Sequence, residues 1–92
     1  MSSYLIVSYT PKDEEKLNLY NVHFNESLLE HSGQYLVKGE IGILNGSSDF
    51  KMQMIVIFPS KEKIENWYYS EGFQTLNEIR NESMDCQFQI IG

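Results

Sequence analysis

Residues Phe58–Arg80, FPSKEKIENWYYSEGFQTLNEIR, decide the reading of this chain. Phe58 closes a strand candidate that begins at Met52 and is continuously apolar from Met54. Pro59 has no N–H to give a strand ladder, so it ends that strand. Ser60 follows as an oxygen-bearing cap, and Ile64, Trp67 and Tyr68 then recur at helical spacing. Gly72 interrupts the pattern, so a break is expected near Ser70-Glu71-Gly72, with a second helical piece from Phe73 to about Asn81. Arg80 falls on the same stripe as Phe73 and Leu76. A permanent cation on a core-facing stripe needs an anionic or polar partner, which makes Arg80 the strongest hint of a binding site.

Outward from that stretch, the rest of the chain supplies the other elements. Tyr4 to Tyr9 is β-rich and reads as a strand. Thr10 is the expected cap of the first helix, with Pro11 at its first position and Asp13 near its positive end. Leu17, Tyr20, Phe24, Leu28 and His31 make one apolar stripe. Ser32-Gly33 closes the helix, with Gly33 expected in the left-handed conformation. Gln34 to Leu44 reads as a long strand with Tyr35, Val37, Ile41 and Ile43 on one parity and a bulge near Gly39 or Gly42. Asn45 to Asp49 is a turn, and Gln87 to Ile91 the last strand. The order β-α-β-β-α-β is the split βαβ, ferredoxin-like arrangement of the α+β class. A single domain over residues 1–92 is expected, with a four-stranded antiparallel sheet and helices on one face.

Composition narrows the function classes. A net charge of −6, with seven Lys and Arg spread along the chain, argues against nucleic acid. No hydrophobic run approaches the ~20 residues of a membrane helix, so no membrane partner is expected. Cys86 stands alone in an apolar strand pattern and reads as a small buried hydrophobe. A reduced, cytoplasmic setting fits. No Gly-rich phosphate loop, Cys-x-x-Cys pair or Ser-His-Asp order is present, so no cofactor is expected.

The strands themselves predict a partner. A sheet with one face in water alternates apolar and polar residues. Leu5, Ile6 and Val7 are consecutive, as are Met54 to Phe58, which places large apolar groups on both faces. Left uncovered, they would exceed the roughly 300–600 Å² patch that monomers tolerate. A homodimer through the sheet faces removes that exposure, giving a shared barrel-like core.

Two sets of residues carry a resemblance over nearly the whole length. One is Phe58-Pro59-Ser60, Trp67-Tyr68, Ser70, Phe73, Leu76 and Arg80; the other is His31, Gly33, Tyr35-Leu36-Val37 and Gly39. On these the chain resembles the family catalogued as domain of unknown function 1330, in the dimeric α+β barrel superfamily. The resemblance implies a ferredoxin-like subunit and a homodimer, with no established activity. The chain departs from it at Gln34, where Arg is usual, at Ile57, where an acidic residue is usual, and at Gly72, where Pro is common.

Each candidate site residue has a plain reading beside the functional one. Arg80 could clamp the carboxylate of a small acid, or pair with a Glu and reach water along its stem. His31 could move protons as a catalytic base, or simply complement the helix C-terminus. Trp67, Tyr68 and Tyr69 could line a pocket for a flat ligand, or pack as core. His23 and Glu26 share a helix face but lack further ligands, so no metal site is expected. The function expected is a small homodimeric domain with a pocket for an anionic or aromatic metabolite. The alternatives are a cofactor-free enzyme of the oxygenase or isomerase type and a structural dimerisation module.

Overall fold

The computed structural model describes residues 1–92. Its elements are β1 (Ser3–Pro11), α1 (Glu14–Glu30), β2 (Gln34–Glu40), β3 (Met52–Phe58), α2 (Lys61–Tyr68), α3 (Glu71–Gln74), α4 (Asn77–Ser83) and β4 (Met84–Ile91). The strands form one sheet in the order β2-β3-β1-β4, antiparallel at every pairing. Each helical crossover therefore passes over one intervening strand, as a ferredoxin-like fold requires. The architecture expected from the sequence is the one found.

Local chemistry moves several boundaries. β1 runs on through Thr10 and Pro11 because both pair with β4, opposite Asp85 and Met84. Thr10 therefore does not cap α1; its hydroxyl accepts from Lys51 N–H at 3.2 Å instead. Asp13 is the cap, accepting from Lys16 N–H at 3.1 Å. At the other end of α1 the left-handed residue is Ser32, with φ 64°, and not Gly33. Gly33 N–H donates to Leu28 C=O at 2.9 Å, the six-to-one bond of a Schellman end. Gly33 is needed for a different reason: a Cβ there would lie 2.9 Å from Phe58 Cζ and 3.0 Å from Leu28 Cδ2.

Two further corrections concern irregularities. The bulge in β2 falls between Tyr35 and Val37, not at Gly39 or Gly42, and regular pairing stops at Glu40. It splits the expected parity: Tyr35 lies opposite Val56 on the helix side, whereas Val37 lies opposite Ile55 on the other face. The break after α2 is made by Ser70, whose hydroxyl donates to Trp67 C=O at 2.7 Å and accepts from Phe73 N–H at 3.2 Å. Gly72 lies inside α3, and the second helical piece is two short helices.

The helices cover one face only. Leu5, Val7 and Tyr9 of β1 and Met54, Val56 and Phe58 of β3 point into the core at 2% exposure or less. They meet Tyr20, Phe24, Leu28, Ile64, Trp67 and Phe73 from the helices. The opposite face is graded along the strands. At one end it carries Tyr4, Ile6, Ile55, Ile57, Val37 and Ile91, with Gln34 and Gln89 among them; at the other, Ser8, Thr10, Gln53, Gln87 and Asp85. Gln53 donates to the Ser8 hydroxyl across the polar end at 3.1 Å.

Candidate functional site

An aromatic cluster holds the middle of the helix layer. Ser60 caps α2 by accepting from Lys63 N–H at 3.2 Å, which sets the phase that turns Ile64 and Trp67 inward. Trp67 is fully buried, with ring centroids 4.2 Å from Phe73, 5.6 Å from Phe24 and 5.7 Å from Phe58. Its indole N–H donates to Ser27 Oγ at 2.9 Å, and that hydroxyl donates onward to Phe24 C=O at 2.7 Å. A buried indole needs such an acceptor. Trp67 is thus core and faces no cavity.

Arg80, at the inner side of α4, has an unusual set of neighbours. Its guanidinium carbon lies 5.9 Å from the Tyr68 ring, 5.4 Å from Phe73 and 5.3 Å from Phe88. These are cation–π distances. No carboxylate pairs with it; the ion pairs are Lys12–Asp85 at 3.5 Å and Lys16–Glu82. Its Nε and Nη1 are buried without a hydrogen-bond partner, although the residue as a whole is half-buried. The buried Tyr20 hydroxyl on α1 is also unpartnered. Burial pushes the Tyr20 hydroxyl well above its ordinary pKa, and the Arg80 charge works against that rise. The Cys86 thiol, on the helix side of β4, is likewise pushed up by burial and pulled down by Arg80.

Beside this cluster, between α2 and β4, runs a groove of about 400 Å³. Leu5, Ile64, Tyr68, Phe88 and Ile90 give it apolar walls, and Lys61, Glu65 and Gln89 add polar groups of both charge signs. Tyr68 and Phe88 both line the groove and neighbour Arg80, meeting each other edge to face with centroids 5.9 Å apart. Gln74 holds the Tyr68 backbone through its carbonyl at 2.6 Å.

The residues singled out from sequence do not all converge. Arg80 and Tyr68 come together; Trp67 lies behind them. His31 does not line the groove: its Nδ1 lies 3.1 Å from Ser27 C=O, one turn back on its own helix. Phe88 and Tyr20 were not singled out, though the alternation Met84, Cys86, Phe88, Ile90 marks Phe88 as inward, and Tyr20 brings a hydroxyl to a core stripe. Gln34 and Ile57, the positions that depart from the family resemblance, are direct cross-strand partners. No group of three or more His, Cys, Asp or Glu is gathered that could hold a metal ion, and no helix is long and apolar enough to cross a membrane.

Fold and groove together define a ferredoxin-like α+β subunit with an aromatic-walled cleft. The chain belongs to the family described as a domain of unknown function, DUF1330, whose model matches residues 2–92. No protein with a curated description matches it. Solved structures share the fold. A protein of unknown function from Rhodopseudomonas palustris is 12% identical with TM-score 0.80, the match covering 98% of this chain and 80% of that one. A dimeric ferredoxin-like protein of unknown function from Jannaschia sp. CCS1 is 11% identical with TM-score 0.74, covering 100% and 99%. SnoaB, a cofactor-independent oxygenase from Streptomyces nogalater, is 6% identical with TM-score 0.63, covering 99% and 91%.

Proposed function

We propose that the chain acts as a homodimer paired through its open sheet faces, and that each subunit binds a small, flat metabolite in the groove between α2 and β4. The groove carries the binding reading: it has the volume of a small-molecule site and a lining of apolar and aromatic side chains with a few polar ones, Lys61, Glu65 and Gln89. The expected proton handler, His31, does not line it, so the reading stops at binding and does not extend to catalysis.

Shape supports the pairing. The Cα extents are 32 × 31 × 17 Å, a slab two layers thick. Two such slabs stacked through their sheets, which pack roughly 10 Å apart, would have a Cα depth of about 44 Å against 32 × 31 Å across, a less flattened body than one slab alone. The subunit alone exposes 5954 Å², against roughly 5,500 Å² expected for a monomer of this mass. The dimeric protein from Jannaschia supports the same reading.

Titration calorimetry with 2-naphthol, a flat and neutral probe, tests the groove. Saturable binding of one molecule per chain is expected, abolished by Ile90→Trp, which fills the cleft from a partly exposed position. No binding by the wild type, or equal binding by Ile90→Trp, overturns the reading.

A further inference from the structure

The connection between β2 and β3 is unlike the other loops. It runs from Ile41 to Lys51, about twice the length of a usual β-hairpin loop of roughly two to five residues. Its first part, Ile41-Gly42-Ile43-Leu44, has the composition of a strand, yet regular pairing ends at Glu40. Ile41 N–H still donates to Lys51 C=O at 2.8 Å, but the N–H groups of Gly42, Ile43 and Leu44 meet no backbone acceptor. Ile43 is half exposed and Leu44 fully so. Leu44 therefore packs on nothing in its own subunit.

These apolar groups are not scattered singly. Val37 lies on the open face opposite Ile55, and Gly39 follows it opposite Gln53. Ile41, bonded to Lys51, continues that parity by one more step. The apolar end of the open face thus runs on along the β2 edge, past Ser8 and Gln53, to Ile43 and Leu44. Size calls for such an extension. With strands about 4.8 Å apart and about 3.3 Å per residue, the apolar half of the face measures roughly 19 × 13 Å, about 250 Å² in plan. Even twice that area, allowing for the relief of the side chains, is well short of the about 800 Å² per partner of a stable interface. Charge points to the occupant. Each copy carries a net −6, so two copies meet most readily where neither presents charge. Gly42 to Ser48 has no charged side chain, and the polar residues at the apolar end of the face are the neutral Gln34 and Gln89.

We infer that Ile41–Leu44 is a dimer arm, each copy laying Ile43 and Leu44 against the open face of a second copy. This rests on the pairing of the open sheet faces and carries that contact beyond the sheet. A two-fold pair is reciprocal, so both arms engage at once.

The experiment joins an Ile43→Ser/Leu44→Ser double variant to hydrogen exchange of the arm. Both side chains are exposed in the subunit, so the variant keeps its fold. Sedimentation equilibrium should give it a dimer dissociation constant at least about tenfold above the wild type, the size of burying one or two such side chains. The amides of Gly42, Ile43 and Leu44 should exchange at least about tenfold more slowly in the wild type than in Ile55→Glu, which sets a charge on the open face and leaves the arm sequence intact. A dissociation constant within about twofold of the wild type, or arm amides that exchange equally fast in the wild type and Ile55→Glu, overturns the arm and leaves the sheet-face dimer standing. A monomeric wild type or a dimeric Ile55→Glu overturns the sheet-face pairing, and the arm falls with it.

Discussion

The two faces of the sheet are built from the same strands and have opposite fates. On the covered face every central residue of β1 and β3, from Leu5 to Phe58, is closed off by helix. On the open face Ile6 is buried by its neighbours and Ile55 and Ile57 are half-buried, while Val37 and Ile91 to either side are 56% and 59% exposed, with Gln34 and Gln89 among them. Toward the other end of the same face, Ser8, Gln53 and Gln87 take over. The difference teaches that apolar content alone does not mark a core. The covered face is uniform along its length because rigid helices must be packed everywhere. The open face is graded, which suits a partner that covers one end and leaves the other wet.

The sharpest contrast comes from the covered side. Trp67→Ala removes the ring at the centre of the aromatic cluster and strips the Ser27 hydroxyl of its donor. A loss of about 3–5 kcal/mol is expected in chemical unfolding. In thermal unfolding this corresponds to well over 10 °C for a chain of this length. A loss below about 1 kcal/mol would mean that the cluster is not the core described here.

A matched pair of glycines comes next. Gly33→Ala forces a methyl against the Phe58 ring tip at 2.9 Å and should cost about 1–3 kcal/mol. Gly39→Ala, on the open-face side of the edge strand, meets nothing within 4 Å. It should change stability by less than about 0.5 kcal/mol. Equal effects at the two positions would erase the contrast between faces.

The smallest effect is one of pH. Tyr20 has its pKa raised in the fold above the ordinary 10.0, so the unfolded chain loses that proton first. The stability is therefore whole below about pH 10 and falls as pH rises beyond it, by up to about 1.4 kcal/mol per unit. Urea unfolding at about pH 9 and about pH 11 measures the slope, which Tyr20→Phe should reduce without abolishing, because burial raises Tyr9, Tyr35 and Cys86 as well. An identical slope in the variant would place the titrating group elsewhere.

Much of this was legible in the residues. Pro59-Ser60 fixes where β3 ends and α2 begins, and the apolar stripe of α1 gives its inward side, because both signals are local. The end of α1 was read only in part: a glycine beside a helix end suggests a left-handed residue, yet here the constraint is Phe58, far along the chain. The β2 bulge was misplaced because register is set by pairing with β3, which spacing within β2 does not contain. Arg80 was recognisable as an inward cation. Its neighbours Phe88 and Tyr20 were not, since β4 and α1 meet α4 only through the tertiary fold.

The central claim is that a second copy covers the apolar end of the open face, and sedimentation equilibrium at about 10 µM tests it most directly. The wild type should have twice the 10.8 kDa chain mass. Ile55→Glu, a charge placed between Ile6 and Val37, should have the mass of one chain with its far-ultraviolet circular dichroism unchanged. A wild type of 10.8 kDa, or an Ile55→Glu variant that stays at twice that mass, would contradict the account.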